Sequence, residues 1–157
     1  ELLDSGKDLA LVSDSGTPII SDSGYKLVSE LRKNGYEVIS IPGANAAIAA
    51  LSVSGLPTDN FIFLGFLPKS KGKRKNILKE YGSCEATLTV YESPYRLGKL
   101  LQEISDVLGN RYVSVIKDLT KVHESVTTSK INELLENKKF PERGEYVVLI
   151  SKKDFEL

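Results

Sequence analysis

The chain has 157 residues, with 21 Lys plus Arg balanced by 21 Asp plus Glu and a single His; the length suits one domain or two small ones, and the zero net charge gives no whole-chain attraction to nucleic acid. One cysteine, Cys84, excludes an internal disulfide and fits a reducing compartment, and one Cys with one His argues against a zinc site. The longest apolar stretch, Ala44 to Leu56, is interrupted by Asn45, Ser52, Ser54 and Gly55, so there is no run of about 18 apolar residues to cross a membrane as a helix.

The chain opens in a helical pattern, Glu1-Leu2-Leu3, with no initiating Met and no basic segment ahead of an apolar one. No signal peptide is visible, and a fragment of a longer protein is expected. Leu9-Ala10-Leu11-Val12 reads as a short buried strand. Leu27, Val28 and Leu31 fall at helical spacing between Gly24 and Asn34, and Asn34-Gly35 supplies a stop. Tyr36 to Ile41 reads as a second strand ended by Pro42-Gly43, and the Ala-rich stretch Ala46 to Val53 as a helix with a small-residue face. Thr58-Asp59-Asn60 looks like a linker, which divides the chain into domains 1–58 and 59–157.

The pattern then restarts. Phe61 to Gly65 predicts a strand, and Lys69 to Lys75 a basic loop entering a helix that ends at Tyr81. Ala86 to Tyr91 predicts a strand, followed by a helix from Pro94 to Leu108 with Leu97, Leu100, Leu101 and Ile104 on one stripe. Tyr112 to Lys117 reads as a strand, Thr127 to Asn137 as a helix around Ile131, Leu134 and Leu135, and Tyr146 to Ile150 as a last strand. Strands alternating with helices in both halves predict an α/β fold of two domains with mostly parallel sheets. In such sheets ligands bind beyond the carboxyl ends of the strands.

After Val12 come Ser13-Asp14-Ser15-Gly16-Thr17-Pro18, Ser21-Asp22 and Gly24. Asp14 and Asp22 suit an ammonium or ribose hydroxyls, and equally a polar turn that caps the next helix. After Ile41, Pro42-Gly43-Ala44-Asn45-Ala46-Ala47 lacks the spacing of a dinucleotide fingerprint; its small side chains leave room for a flat ring, or simply let a helix pack on a sheet. After Tyr91, Glu92 and Arg96 stand four apart, suited to an ion pair across a helix start or to a substrate. After Lys117, Asp118-Leu119-Thr120-Lys121 with His123 and Glu124 is the densest polar set after any strand; Lys121 suits phosphate, and His123 suits proton transfer or a plain surface role. Lys69 to Lys75 holds five cations in seven residues, either a solvated face or a phosphate-backbone contact through Lys71, Lys73, Arg74 and Lys75.

Taken in order, these segments resemble the ribosomal RNA small-subunit methyltransferase I family of the tetrapyrrole methylase superfamily. The resemblance rests on Val12-Ser13-Asp14-Ser15-Gly16-Thr17-Pro18, Ser21-Asp22-Ser23-Gly24-Tyr25, Ile41-Pro42-Gly43, Ser54-Gly55-Leu56-Pro57-Thr58-Asp59, Gly65-Phe66-Leu67-Pro68, Tyr91-Glu92-Ser93-Pro94, Leu119-Thr120-Lys121, His123-Glu124 and Gly144-Glu145. It implies two α/β domains with S-adenosyl-L-methionine in the cleft between them, a cytoplasmic homodimer, and 2′-O-methylation of a cytidine ribose in 16S rRNA of the small ribosomal subunit. It implies cofactor contacts at Asp14, Gly16, Thr17, Pro18 and Ile20, at Asn45 and Ala46, and at Ser93, Pro94, Leu119 and Gly144. Ser15, Ser23, Asn45 and Tyr95 depart from the family's usual residues by small or polar exchanges. The resemblance also implies that an amino-terminal part with a first strand and its loop, and a small carboxyl-terminal region, lie outside this chain.

The chemistry expected of such a protein needs alignment of the hydroxyl and a route for its proton. Lys121 and Arg96 are expected to hold phosphate or the nucleophile, with Glu92 or Glu124 orienting them. Two other readings stay open at this point. One is a methylase of a corrinoid precursor or of a modified elongation-factor histidine; the other is a non-catalytic α/β module that binds nucleotide or RNA.

Overall fold

The computed structural model describes residues 1–137 and 139–157. Contacts divide the chain into two units, Glu1–Asn45 and Ala46–Leu157, so Ala46 onward packs with the carboxyl-terminal residues.

In the first unit a single 3-10 turn, Leu3–Ser5, precedes helix α1, Tyr25–Lys33. Asn34 ends α1 by turning its side-chain amide back onto the Glu30 carbonyl at 2.8 Å and the Glu30 carboxylate at 2.9 Å. The two expected strands here, Leu9–Val12 and Tyr36–Ile41, form no strand and join no ladder among the described residues. The reason is burial. Val12 is 80% exposed and Ile41 78%, so the apolar cover that would hold either run in a sheet is not supplied. Arg32 instead anchors the second run, donating to the Val38 carbonyl at 2.9 Å.

The second unit is a five-stranded sheet in the order β1-β2-β5-β3-β4, with β1 Phe61–Phe66, β2 Thr87–Glu92, β3 Tyr112–Lys117, β4 Ser125–Lys130 and β5 Tyr146–Ile150. Helices α2 (Ala46–Val53), α3 (Lys71–Tyr81), α4 (Pro94–Leu108) and α5 (Ile131–Asn137) complete it. The α/β class is as expected, but the strand directions correct the expectation of a mostly parallel sheet. β1 and β2 are parallel, while β2–β5, β5–β3 and β3–β4 are antiparallel. Helical crossovers α3 and α4 keep β1, β2 and β3 pointing one way. The short connection after Lys117 turns β4 back, and β5 enters between β2 and β3 in the opposite sense.

β5 is the hub. All five of its residues are buried, with Tyr146, Val148 and Ile150 in the core under α3, α4 and α5, and Val147 and Leu149 in the core under α2. That double burial is why it reads as a continuous apolar run. On α4 the expected stripe Leu97, Leu100, Leu101 and Ile104 is fully buried, each such side chain contributing about 1.5–3 kcal/mol. This fixes the first turn of α4 at the end of β2.

Two further boundaries move. Residues 125–130, partly assigned to a helix from the sequence, form β4, because the Val-Thr-Thr run pairs with β3 from Ser125↔Lys117 to Lys130↔Tyr112. The helix keeps only Ile131–Asn137. The basic run is helical from Lys71 onward rather than a loop.

Candidate functional site

In the first unit two of the expected cofactor segments meet. Thr17 donates its backbone N–H (2.8 Å) and its hydroxyl (3.0 Å) to the Ala44 carbonyl. A side chain at Gly43 would crowd the Thr17 hydroxyl, its Cβ lying 3.2 Å away, and one at Gly16 would meet the Ala44 carbonyl at 3.1 Å. Ser13 closes its own turn by donating to the Gly16 carbonyl at 2.8 Å. Ile19 and Ser21 take left-handed backbone angles, φ 77° and 58°, which is costly for a β-branched residue. Asp14 and Ile20 are exposed, while Thr17 and Pro18 are half-buried. Asp22 accepts the Ser23 N–H at 2.7 Å, the local turn role that the sequence left open for it.

In the second unit the sheet register sets the geometry. Glu92, Tyr146 and Lys117 lie in one row across β2, β5 and β3. The segments leaving Glu92 and Lys117 and the segment entering Tyr146 therefore all lie at one end of the sheet. Neighbouring strands are about 4.8 Å apart, so the Glu92 and Lys117 backbones are separated by roughly 10 Å.

On the β2 side, Glu92 is buried. Its Oε1 accepts the Ser93 N–H at 2.7 Å, and its Oε2 pairs with Arg96 at 3.0 Å. The ion pair across the helix start, one of the two uses open to these residues, is therefore made. Arg96 Nη2 also donates to the Leu67 carbonyl at 2.8 Å, and its buried Nε has no hydrogen-bond partner among the described residues. Ser93 stands at the amino-terminal cap of α4 and Pro94 is its first residue. The Tyr91 hydroxyl accepts the Ala47 N–H at 3.1 Å, tying the first turn of α2 to β2.

On the β3 side, Asp118 pairs with Lys117 and grips Glu145: its N–H donates to the Glu145 carbonyl at 2.9 Å, and its carboxylate accepts the Glu145 N–H at 3.0 Å. Lys117 and that N–H together hold the Asp118 carboxyl below its usual range. Lys121 pairs with the Glu145 carboxylate at 2.8 Å, which raises its ammonium above the ordinary lysine value. Glu124 accepts the Thr120 N–H, and His123 and Glu124 are exposed. Leu119 is half-buried against the core under α2. Asp118 and Thr120 are left-handed, φ 49° and 65°, so this loop is strained and held in place by its ties. Asp118 was legible only as one member of a polar run, because its partner Glu145 lies 27 positions away.

One expected RNA contact is corrected. Arg74 is buried: its Nε and Nη2 bind both Glu103 oxygens, at 2.7 and 2.6 Å, and its Nη1 donates to the carbonyls of Pro68 (3.1 Å) and Lys69 (2.6 Å). Its donors are turned inward, away from any phosphate. Lys71 and Lys73 are exposed, and Lys75 pairs with Asp106 at 2.9 Å at the surface. Among the described residues no group of His, Cys, Asp and Glu is gathered for a metal ion, and no helix is long and apolar enough to cross a membrane.

Comparison with known proteins places the chain in a family. The family model for tetrapyrrole (corrin/porphyrin) methylases matches residues 1–135. The chain belongs to that family. Within it, the chain is 50% identical over 128 residues to the ribosomal RNA small subunit methyltransferase I of Halalkalibacterium halodurans, covering 82% of this chain and 44% of the relative. It is 41% identical over 155 residues to the protein of the same name from Thermotoga maritima, covering 98% and 69%. The chain spans about half the length of most of the curated relatives it matches. Among solved structures, the methyltransferase CobJ superposes with a TM-score of 0.69 at 18% identity, over 97% of this chain and 67% of that one. Uroporphyrin-III C-methyl transferase from Thermus thermophilus, complexed with S-adenyl homocysteine, gives 0.56 at 21%, over 85% and 62%. At these identities the structures show a shared fold.

Proposed function

We propose that the protein carrying this chain transfers a methyl group from S-adenosyl-L-methionine to the 2′-hydroxyl of a cytidine ribose in 16S rRNA, acting as a cytoplasmic homodimer. The observation that carries this reading is the gathering of Glu92–Arg96 and Lys121–Glu145 at one end of one sheet, in a chain half identical to a protein named for small-subunit rRNA methylation. Identities of 40–50% to relatives so named, against 18–21% to the methyltransferase CobJ and the uroporphyrin-III C-methyl transferase, favour rRNA over a tetrapyrrole substrate.

The donor groups suit such a cofactor. In the first unit, Asp14 offers an exposed carboxylate for the ammonium or ribose hydroxyls, and Ile20 an exposed apolar side chain. Gly16 and Thr17 lie close against the Ala44 carbonyl, and we assign Gly16, Thr17, Pro18 and Asn45 to the same cofactor. In the second unit we assign Ala46, Ser93, Pro94, Leu119 and Gly144 to it. Bound, the cofactor supplies a methyl on a sulfonium, an already activated leaving group, so the protein's share is largely positioning. Lys121, kept as an ammonium by Glu145, holds a phosphate or the ribose oxygen. Arg96 presents a guanidinium fixed by buried Glu92. His123 and Glu124 stand beside Lys121 as acceptors for the hydroxyl proton, a role worth roughly 10²–10⁴-fold.

Titration calorimetry of the full protein with S-adenosylmethionine tests the cofactor assignment. Saturable heat is expected, and Asp14→Ala should weaken it. An absence of specific heat would instead support a non-catalytic α/β module.

A further inference from the structure

β1 is an edge strand, and its sequence Phe-Ile-Phe-Leu-Gly-Phe carries a register shift. Phe63 pairs with Thr89 and Gly65 with Val90, which leaves Leu64 as an extra residue, and Phe66 then pairs with Tyr91. Gly65 takes φ 59°, a left-handed angle that glycine adopts without strain. The bulge re-aims the strand. Phe66 thereby reaches the same ring as Phe63: both pack edge-on against Tyr91, with centroids 5.6 and 5.0 Å away. Phe66 is nevertheless 60% exposed. It is a ring braced by its neighbours with much of its surface open to solvent.

A single exposed aromatic is ordinary. The turn next to Phe66 sets this one apart. Three successive carbonyls, of Leu67, Pro68 and Lys69, each receive a guanidinium N–H, the first from Arg96 and the next two from Arg74. Arg74 is itself locked to Glu103. The turn from β1 into α3 is therefore rigid, and it leads directly to the exposed cations Lys69, Lys71 and Lys73. Lys71 stands five positions after Phe66, so their Cα atoms are at most about 18 Å apart. A braced ring beside exposed cations carried on a held turn and the helix after it is the combination that binds single-stranded nucleic acid, bases stacking on the ring while phosphates meet the cations.

We propose that Phe66 is a stacking platform for an unpaired base of the RNA substrate, with Lys69, Lys71 and Lys73 binding the flanking phosphates. This rests on the proposed rRNA substrate, and Phe66 falls outside the residues assigned to RNA from the sequence.

The test is fluorescence anisotropy with the full protein and a labelled single-stranded RNA dodecamer of mixed sequence, across a salt series. Phe66→Leu should weaken binding roughly tenfold or more, with the slope against salt unchanged, and Phe66→Trp should retain it. Lys71→Ala with Lys73→Ala should reduce the slope by about 1.4, at roughly 0.7 for each phosphate no longer neutralised. Wild-type binding with Phe66→Leu equally tight, or with Phe66→Trp as weak as Phe66→Leu, overturns the platform and leaves the rRNA reading standing. Failure of the wild type to bind any RNA overturns both. Loss of self-association in Phe66→Leu without loss of RNA binding would assign the ring to a contact between copies, and overturns the platform.

Discussion

Asp118 holds Glu145 from both sides of one residue, donating to its carbonyl and accepting from its N–H. That clamp joins the strained loop after β3 to the segment before β5, and it explains the glycine next door. A Cβ on Gly144, whose φ is 101°, would lie 2.7–3.0 Å from the Asp118 carboxylate. Gly144→Ala is expected to cost about 1–3 kcal/mol from its backbone angle alone, with the clash in addition. In an Asp118→Ala background the clash is gone, so a double-mutant cycle by urea unfolding should show coupling of at least ~0.5 kcal/mol. Strict additivity would contradict the clamp.

Arg74 and its basic neighbours should separate cleanly. Arg74→Ala leaves Glu103 buried without its partner, a loss of about 3–5 kcal/mol, and lowers the melting temperature by roughly 10 °C. Lys71→Ala and Lys73→Ala lie on the surface and should stay within about 0.5 kcal/mol of wild type. Thermal unfolding of the three variants decides it; equal effects would mean that Arg74 is not the buried anchor of α3.

The same pair predicts an acid limb. Arg74 holds the Glu103 carboxyl below the usual carboxylate range. A carboxyl whose folded pKa is depressed binds protons more readily when unfolded. Its contribution is therefore complete above the unfolded value of about 4.3, and is lost as pH falls from there through the lower folded value. Glu103→Gln, which has no proton to gain, should show a flatter decline of the urea midpoint between about pH 5 and 3. An unchanged limb would place the acid sensitivity elsewhere.

Lys121 should act as a cation and not as a base. Glu145 raises its pKa above that of a free lysine, so the single-turnover rate should show no lysine limb between pH 6 and about 9. Lys121→Ala should slow methyl transfer on the order of 100-fold if it positions the ribose. An unchanged single-turnover rate would remove it from the site.

Much of the fold was legible in the chain. α2, α4, β3 and β5 appear where periodicity put them, because their burial patterns are unambiguous: one stripe on α4, and both faces of β5. β4 was hidden because Ile131, Leu134 and Leu135 give a helical rhythm that runs back into a Val-Thr strand whose stability comes from β3. The direction of β5 depends on where it inserts, which no local pattern states. Arg74 offered a signal that charge obscured: it stands three and four residues before Ile77 and Leu78, on the apolar face of α3. Leu9–Val12 and Tyr36–Ile41 have strand composition, yet composition supplies no partner for the backbone. At the site, Glu92 and Arg96 could be paired from their spacing of four, whereas the tie of Asp118 to Glu145 depends on β5 entering beside β3.

The most direct test of the proposed activity is methyl transfer by the full protein from labelled S-adenosylmethionine to isolated small ribosomal subunits, with the product nucleotide mapped. The proposed activity predicts label on the 2′-oxygen of a cytidine in 16S rRNA. Label on a base, or small subunits left unlabelled, would contradict it.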